Sequence, residues 1–152
     1  MLAVAVVLLG LLSTSYGALQ LKPYNETALS MFLANDFNHD GVITLVELES
    51  SFDKYDANGD GIESRHEYTE YICAVSPSLY QLSHWLFDDY DFNHDHHLTK
   101  QDYDSLFAVM DANHDGNVTA EEFIAYWERI FPKYETIGQH GQHFAHGNSA
   151  CH

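Results

Sequence analysis

The chain has 152 residues, 45% of them hydrophobic and 14% aromatic, which suits one folded domain and excludes a disordered acidic tail. Its formal charge is −17, from 23 Asp and Glu against six Lys and Arg. That balance repels a nucleic-acid backbone or an anionic bilayer at long range, so no nucleic-acid partner is expected and cations are the natural ones.

Residues 1–17, MLAVAVVLLGLLSTSYG, carry an apolar run from Leu2 to Leu12, then Ser15 and Gly17 at the small-residue spacing that precedes signal cleavage. A signal peptide cleaved before Ala18 is expected. No membrane span is, because this run falls far short of the ~20 residues that cross a bilayer and no later run is long enough. The C-terminal SACH lacks an endoplasmic retention signal, so the expected location is secreted and extracellular. Residues 18–23 form a short N-terminal arm, and the NET at Asn25 is a candidate glycosylation acceptor just beyond it.

From residue 24 the chain follows one plan twice. Half one, 24–75, contains DFNHDGVITLVE (36–47) and DANGDGIESRHE (56–67); residues 76–78, SPS, link it to half two, 79–133, with DFNHDHHLTKQD (91–102) and DANHDGNVTAEE (111–122). An offset of 55 superimposes Asp36 to Asp40 on Asp91 to Asp95, Thr44 on Thr99, Phe52 on Phe107, and Asp56-Ala57-Asn58 on Asp111-Ala112-Asn113. An internal duplication explains this.

All four segments have Asp, Asn and Asp at their first, third and fifth positions. A hard cation such as Ca²⁺ takes about six to eight oxygens, and a tightly curled loop turns alternate side chains inward to supply them. The sharp turn this requires needs φ > 0, which Gly41, Gly61 and Gly116 adopt readily. A seventh-position carbonyl, a ninth-position hydroxyl and a twelfth-position carboxylate close the ring. Three carboxylates in each of four loops occupy ligand positions, so they supply twelve of the 23 acidic residues. The acidity is mainly cation chemistry.

With this spacing in register four times, residues 24 to 131 resemble the EF-hand family. The flanks agree: an aromatic residue sits four positions before each loop (Phe32, Phe52, Phe87, Phe107), and Leu48, Tyr68, Tyr103 and Phe123 directly follow the loops. The resemblance implies an all-α array of helix-loop-helix units with short β contacts between paired loops. It also implies Ca²⁺ ligands at Asp36, Asn38, Asp40, Val42, Thr44 and Glu47, and at Asp56, Asn58, Asp60, Ile62, Ser64 and Glu67. In half two they are Asp91, Asn93, Asp95, His97, Thr99 and Asp102, and Asp111, Asn113, Asp115, Asn117, Thr119 and Glu122.

Two to four Ca²⁺ are expected. Loops one and four depart least from the family pattern. Loop two has Glu63 at its eighth position, normally an apolar residue that contacts the partner loop, so binding should survive while pairing weakens unless Ile62 replaces the contact. Loop three has His96 where Gly is expected and ends in Asp102, one methylene shorter than Glu. It is the weakest site, shifted toward Mg²⁺.

Within each half the loops start only 20 residues apart, leaving LESSFDKY (48–55) and YDSLFAVM (103–110) between them. A single short helix must leave one loop and enter the next, so the two loops of a half sit at its opposite ends. Loops two and three start 35 residues apart, with an ordinary helix, turn and helix between them, and should pair across Pro77. Loops one and four would then pair with each other or with a second molecule.

Residues 134–152 read as a His- and Gly-rich flexible tail in which His140, His143 and His146 are candidate Zn²⁺ or Cu²⁺ ligands. Cys73 and Cys151 permit a disulfide within the chain or between two chains, making a dimer through loop pairing or through these cysteines an open alternative. No nucleophile elbow, phosphate loop or zincin motif is present, so no enzyme is expected. The function expected is that of a secreted calcium-binding protein, an extracellular buffer, matrix or mineral-associated component. The alternatives are a Ca²⁺-dependent sensor with a protein partner and a Zn²⁺ or Cu²⁺ carrier using the tail.

Overall fold

The computed structural model describes residues 21–75 and 80–139. The expected signal peptide, the first half of the N-terminal arm, the linker with Pro77, and His140, His143, His146 and Cys151 lie outside the described residues.

Among the described residues there are six helices and four two-residue strands, in the order α1 (Tyr24–Asn35), β1 (Val42–Ile43), α2 (Leu45–Tyr55), β2 (Glu63–Ser64), α3 (Arg65–Val75), α4 (Tyr80–Tyr90), β3 (His97–Leu98), α5 (Lys100–Met110), β4 (Val118–Thr119) and α6 (Ala120–Gln139). The shared helices of the sequence are α2 and α5, 11 residues each, so about 16 Å long. Each leaves one loop and enters the next.

Loops two and three pair as expected, through antiparallel β2 and β3 with Glu63 opposite Leu98 and Ser64 opposite His97. Loops one and four pair within the chain through β1 and β4, with Val42 opposite Thr119 and Ile43 opposite Val118. The ring is therefore closed, with one loop pair at each end. Helix α2 runs from the first end to the second and α5 runs back beside it, while α1 packs on α6 and α3 on α4.

The aromatic residues before the loops and the residues directly after them are all buried, and they meet across each end. Phe32 meets Phe123 edge-on at 5.8 Å, Phe52 meets Tyr103 edge-on at 5.5 Å, and Tyr68 lies 6.0 Å from Phe87. The residue ahead of one loop thus packs on the residue behind its partner, which ties the two halves into one core. The first backbone N–H of every loop, at Asp36, Asp56, Asp91 and Asp111, donates to the carbonyl of the Phe four residues earlier.

Helix α6 continues through Gln139, beyond residue 133 where the sequence suggests that half two ends. Trp127, Phe131 and Tyr134 recur at helical spacing and all are buried, so the apolar stripe extends the helix past Pro132. Its last turns hold both halves: Tyr134 Oη donates to Asp89 on α4 at 2.6 Å, and Tyr24 Oη on α1 donates to Glu135 at 2.7 Å. Cys73 on α3 is disulfide-bonded.

Candidate metal centres

Each loop folds its carboxylates onto its own backbone in the same way. In loop one, Asp36 accepts from the amides of Asp40 at 3.1 Å and Gly41 at 2.9 Å. Asn38 Oδ1 accepts from Asp40 N at 2.7 Å, and Asp40 Oδ1 from Val42 N at 3.1 Å. Glu47 closes the ring: one oxygen accepts from Asn38 N at 3.2 Å, the other from Thr44 N at 2.9 Å and Thr44 Oγ at 2.8 Å. Loop four repeats the scheme through Asp111, Asn113, Asp115 and Glu122, and loop two through Asp56, Asn58, Asp60 and Glu67.

The ninth and twelfth residues have a second role that the sequence analysis missed. Thr44 Oγ accepts from Glu47 N while Glu47 accepts from Thr44 N, a capping box that starts α2. Ser64 with Glu67 and Thr119 with Glu122 do the same for α3 and α6. The signal was present as Ser or Thr followed three residues later by an acid, in TLVE, SRHE and TAEE. These bonds also set the acidity of the twelfth residues. The Ser64 backbone amide holds Glu67 below the usual carboxylate range, and the Thr119 amide does so for Glu122.

Two positions of each loop are left-handed. The sixth has φ of +89°, +83° and +86° at Gly41, Gly61 and Gly116, and +69° at His96. The fourth is left-handed as well, at His39 (+60°), Gly59 (+72°), His94 (+61°) and His114 (+59°), which the sequence analysis did not anticipate. All three fourth-position histidines are exposed.

Loop three keeps the turn but not the reach. His96 N donates to Asp91 Oδ2 at 2.9 Å, as the glycines do elsewhere. Asp102, however, accepts from Phe92 N at 3.1 Å, the second loop residue, whereas Glu47, Glu67 and Glu122 all reach the third. One methylene less in the side chain accounts for this.

Glu63 departs from the sequence-based expectation. Its strand pairing with Leu98 is intact, and Ile62 is 43% exposed, so Ile62 does not replace a lost contact. The Glu63 side chain is wholly buried; Tyr103 Oη donates to its Oε2 at 3.1 Å, while Oε1 has no hydrogen-bond partner. Burial pushes this carboxyl well above the usual range, the Tyr103 hydrogen bond opposes the shift, and Glu67 and Asp56 nearby add to it.

Among the described residues, no three His, Cys, Asp or Glu side chains stand close enough together to hold a metal ion as they are positioned. The donor set nevertheless fits a hard cation by its chemistry. The ligand side chains of the first, third, fifth, ninth and twelfth positions offer oxygen, and the seventh residue offers its carbonyl. The ion-paired cations leave these groups alone: Lys22, Arg65, Lys100 and Lys133 pair with Glu135, Asp88, Asp53 and Asp89, all outside the ligand positions.

Residues 92–130 match the family described as an EF-hand domain pair. That match supports the EF-hand superfamily, and with it Ca²⁺ binding. No curated protein and no solved structure matches the chain. Six helices joined by short antiparallel loop contacts make an all-α EF-hand helix-loop-helix fold. Among the described residues, no helix is long and apolar enough to cross a membrane.

Proposed function

We propose that this is a secreted calcium-binding protein with four EF-hand loops, in which loop three is the weakest and takes Mg²⁺ more readily than the others. The observation that carries this reading is the shared hydrogen-bond scheme of the loops, which turns the first, third, fifth and twelfth side chains onto the same short stretch of backbone in each. The role proposed is that of an extracellular buffer or a matrix- or mineral-associated component. Extracellular sites of this kind bind at about 10⁻⁴ to 10⁻³ M, so millimolar calcium keeps them largely filled.

The described core is closed. Its internal cavity, lined by Tyr55, Tyr68, Tyr90, Tyr103 and Trp127 among others, is about 10 Å³, room for one water and not for a partner's side chain. Secretion rests on residues 1–17, and glycosylation is proposed at Asn25, which is exposed in the first turn of α1.

Calcium titration calorimetry on the chain beginning at Ala18 tests the reading, with Glu47, Glu67, Asp102 and Glu122 changed singly to Gln or Asn. Each change should remove or weaken the site that its residue closes. Fewer than two Ca²⁺ bound by the unaltered chain would overturn it.

A further inference from the structure

Four eighth-position side chains point into the core, and three of them, Ile43, Leu98 and Val118, are apolar and wholly buried. The fourth is Glu63. A carboxylate at a position that otherwise serves packing calls for a partner, and it has one on another element. Tyr103, 3% exposed, donates its hydroxyl to Glu63 across 40 residues of sequence.

The places of these two residues in their loops matter. Glu63 stands between Ile62 and Ser64, the seventh and ninth residues of loop two, so any pull on its side chain reaches the backbone that carries both donors. Tyr103 directly follows Asp102, the twelfth residue of loop three, in the first turn of α5. The Tyr103 ring is steadied by Phe52 of α2, edge-on at 84°. At the other end the duplication places Leu48 where Tyr103 stands and Val118 where Glu63 stands, both buried and neither able to make a side-chain hydrogen bond. A side-chain hydrogen bond thus joins the two loops at one end and has no counterpart at the other.

We propose that Tyr103 and Glu63 are positioning residues that couple loop two to loop three, so that the geometry of the closing carboxylate in one sets the geometry of the seventh and ninth donors in the other. The proposal rests on the calcium-binding reading above. When Asp102 moves to engage a cation, the first turn of α5 moves with it. Tyr103 Oη then carries Glu63, and β2 with it, toward the arrangement loop two needs. The β2–β3 strand contact, like β1–β4 at the other end, couples its two loops through backbone alone. The hydroxyl adds a term specific to this end.

The test measures Ca²⁺ affinity of loop three in the full chain, with loop two intact or disabled by Glu67→Gln, in the native background and with Tyr103→Phe. Two-dimensional NMR of the loop-three amides reports that site separately from the others. Disabling loop two should weaken loop three about fivefold to tenfold when Tyr103 is present and no more than twofold in the Tyr103→Phe background. Glu63→Gln, which keeps an acceptor for the hydroxyl, should preserve most of the coupling. Equal weakening in both backgrounds would overturn the inference even if Tyr103→Phe lowers the melting temperature, because a purely structural role changes stability and not the coupling ratio. Absence of Ca²⁺ binding at all four loops in the native chain would overturn the calcium reading and this inference together, whereas absence at loops two and three alone, or intact binding with unchanged coupling, overturns the inference alone.

Discussion

The two ends of the molecule share a topology and differ in a few side chains. At the end formed by loops one and four, Ile43 faces Val118 in a wholly apolar seam, both turns use glycine at the sixth position, and both loops close with Glu. At the end formed by loops two and three, Glu63 faces Leu98, one turn uses His96, and one loop closes with Asp102. Every departure from the family pattern is concentrated at this second end. Duplication supplied equivalent frameworks, and the second end has exchanged packing and closing reach for a buried polar contact. The first end therefore serves as an internal reference for what each substitution does.

The largest effect expected from interchanging features of the ends lies in the seam. Ile43→Ala at the apolar end removes a fully buried side chain and should destabilise the calcium-free chain by about 4 kcal/mol in urea denaturation. Converting the polar seam in the opposite direction, with Glu63→Leu and Tyr103→Phe together, should stabilise it by roughly 1 to 3 kcal/mol. Replacing both members of a buried polar pair by packed apolar groups is often favourable, whereas removing one strands the other. A double substitution that destabilised the chain would mean that Glu63 does more for the fold than its single hydrogen bond suggests.

Closing reach separates the ends next. Glu122→Gln removes a carboxylate that already spans from the third residue to the ninth, and should weaken loop four about 30-fold, ~2 kcal/mol. Asp102→Asn should weaken loop three only about fivefold, ~1 kcal/mol, since its shorter side chain stops at Phe92 N. The informative reversal is Asp102→Glu, which should raise the Ca²⁺ preference of loop three over Mg²⁺ in competition titrations. No gain there would place the weakness in the turn and not in the ligand.

The ends should also differ in their response to pH. Glu63 has a folded-state pKa raised well above its ordinary 4.5 by burial, so the folded chain favours the neutral form. Its favourable contribution is complete below about 4.5 and is lost as pH rises through the folded value. Thermal melts of the chelator-treated protein should therefore decline with rising pH more steeply for the native chain than for Glu63→Gln. Parallel curves would show that the carboxyl is not titrating in the core.

Much of this was legible in the sequence because cation loops have a rigid grammar. The repeated spacing located the four turns that join the helices, and starts 20 residues apart within halves but 35 between them determined which helices are shared and that loop two meets loop three. The partnership of loops one and four was not legible, since two residues of strand carry too little pattern to select a partner. The Glu63 to Tyr103 bond was invisible for the same kind of reason: residues 40 apart meet only once α5 is packed, and no local propensity announces it. The left-handed fourth position was hidden by His39, His94 and His114, because histidine tolerates φ > 0 and so does not advertise the conformation as glycine does at Gly59.

That tolerance defines the smallest difference between the ends. His96 holds φ at +69° where Gly41, Gly61 and Gly116 hold +83° to +89°, a strain of roughly 1 kcal/mol for a side chain with a Cβ. His96→Gly relieves it but gives the unfolded chain more freedom, which offsets about half the gain. The net change should be about 0.5 kcal/mol, or roughly a twofold tightening of loop three. Gly61→Ala supplies the opposite case in the same loop pair. A Cβ there meets nothing within 4 Å, so backbone strain at +83° is the whole effect and loop two should weaken about fivefold. If His96→Gly left loop three unchanged while Gly61→Ala weakened loop two, histidine would be adopting the turn without measurable strain, and the shorter reach of Asp102 would alone separate loop three from the rest.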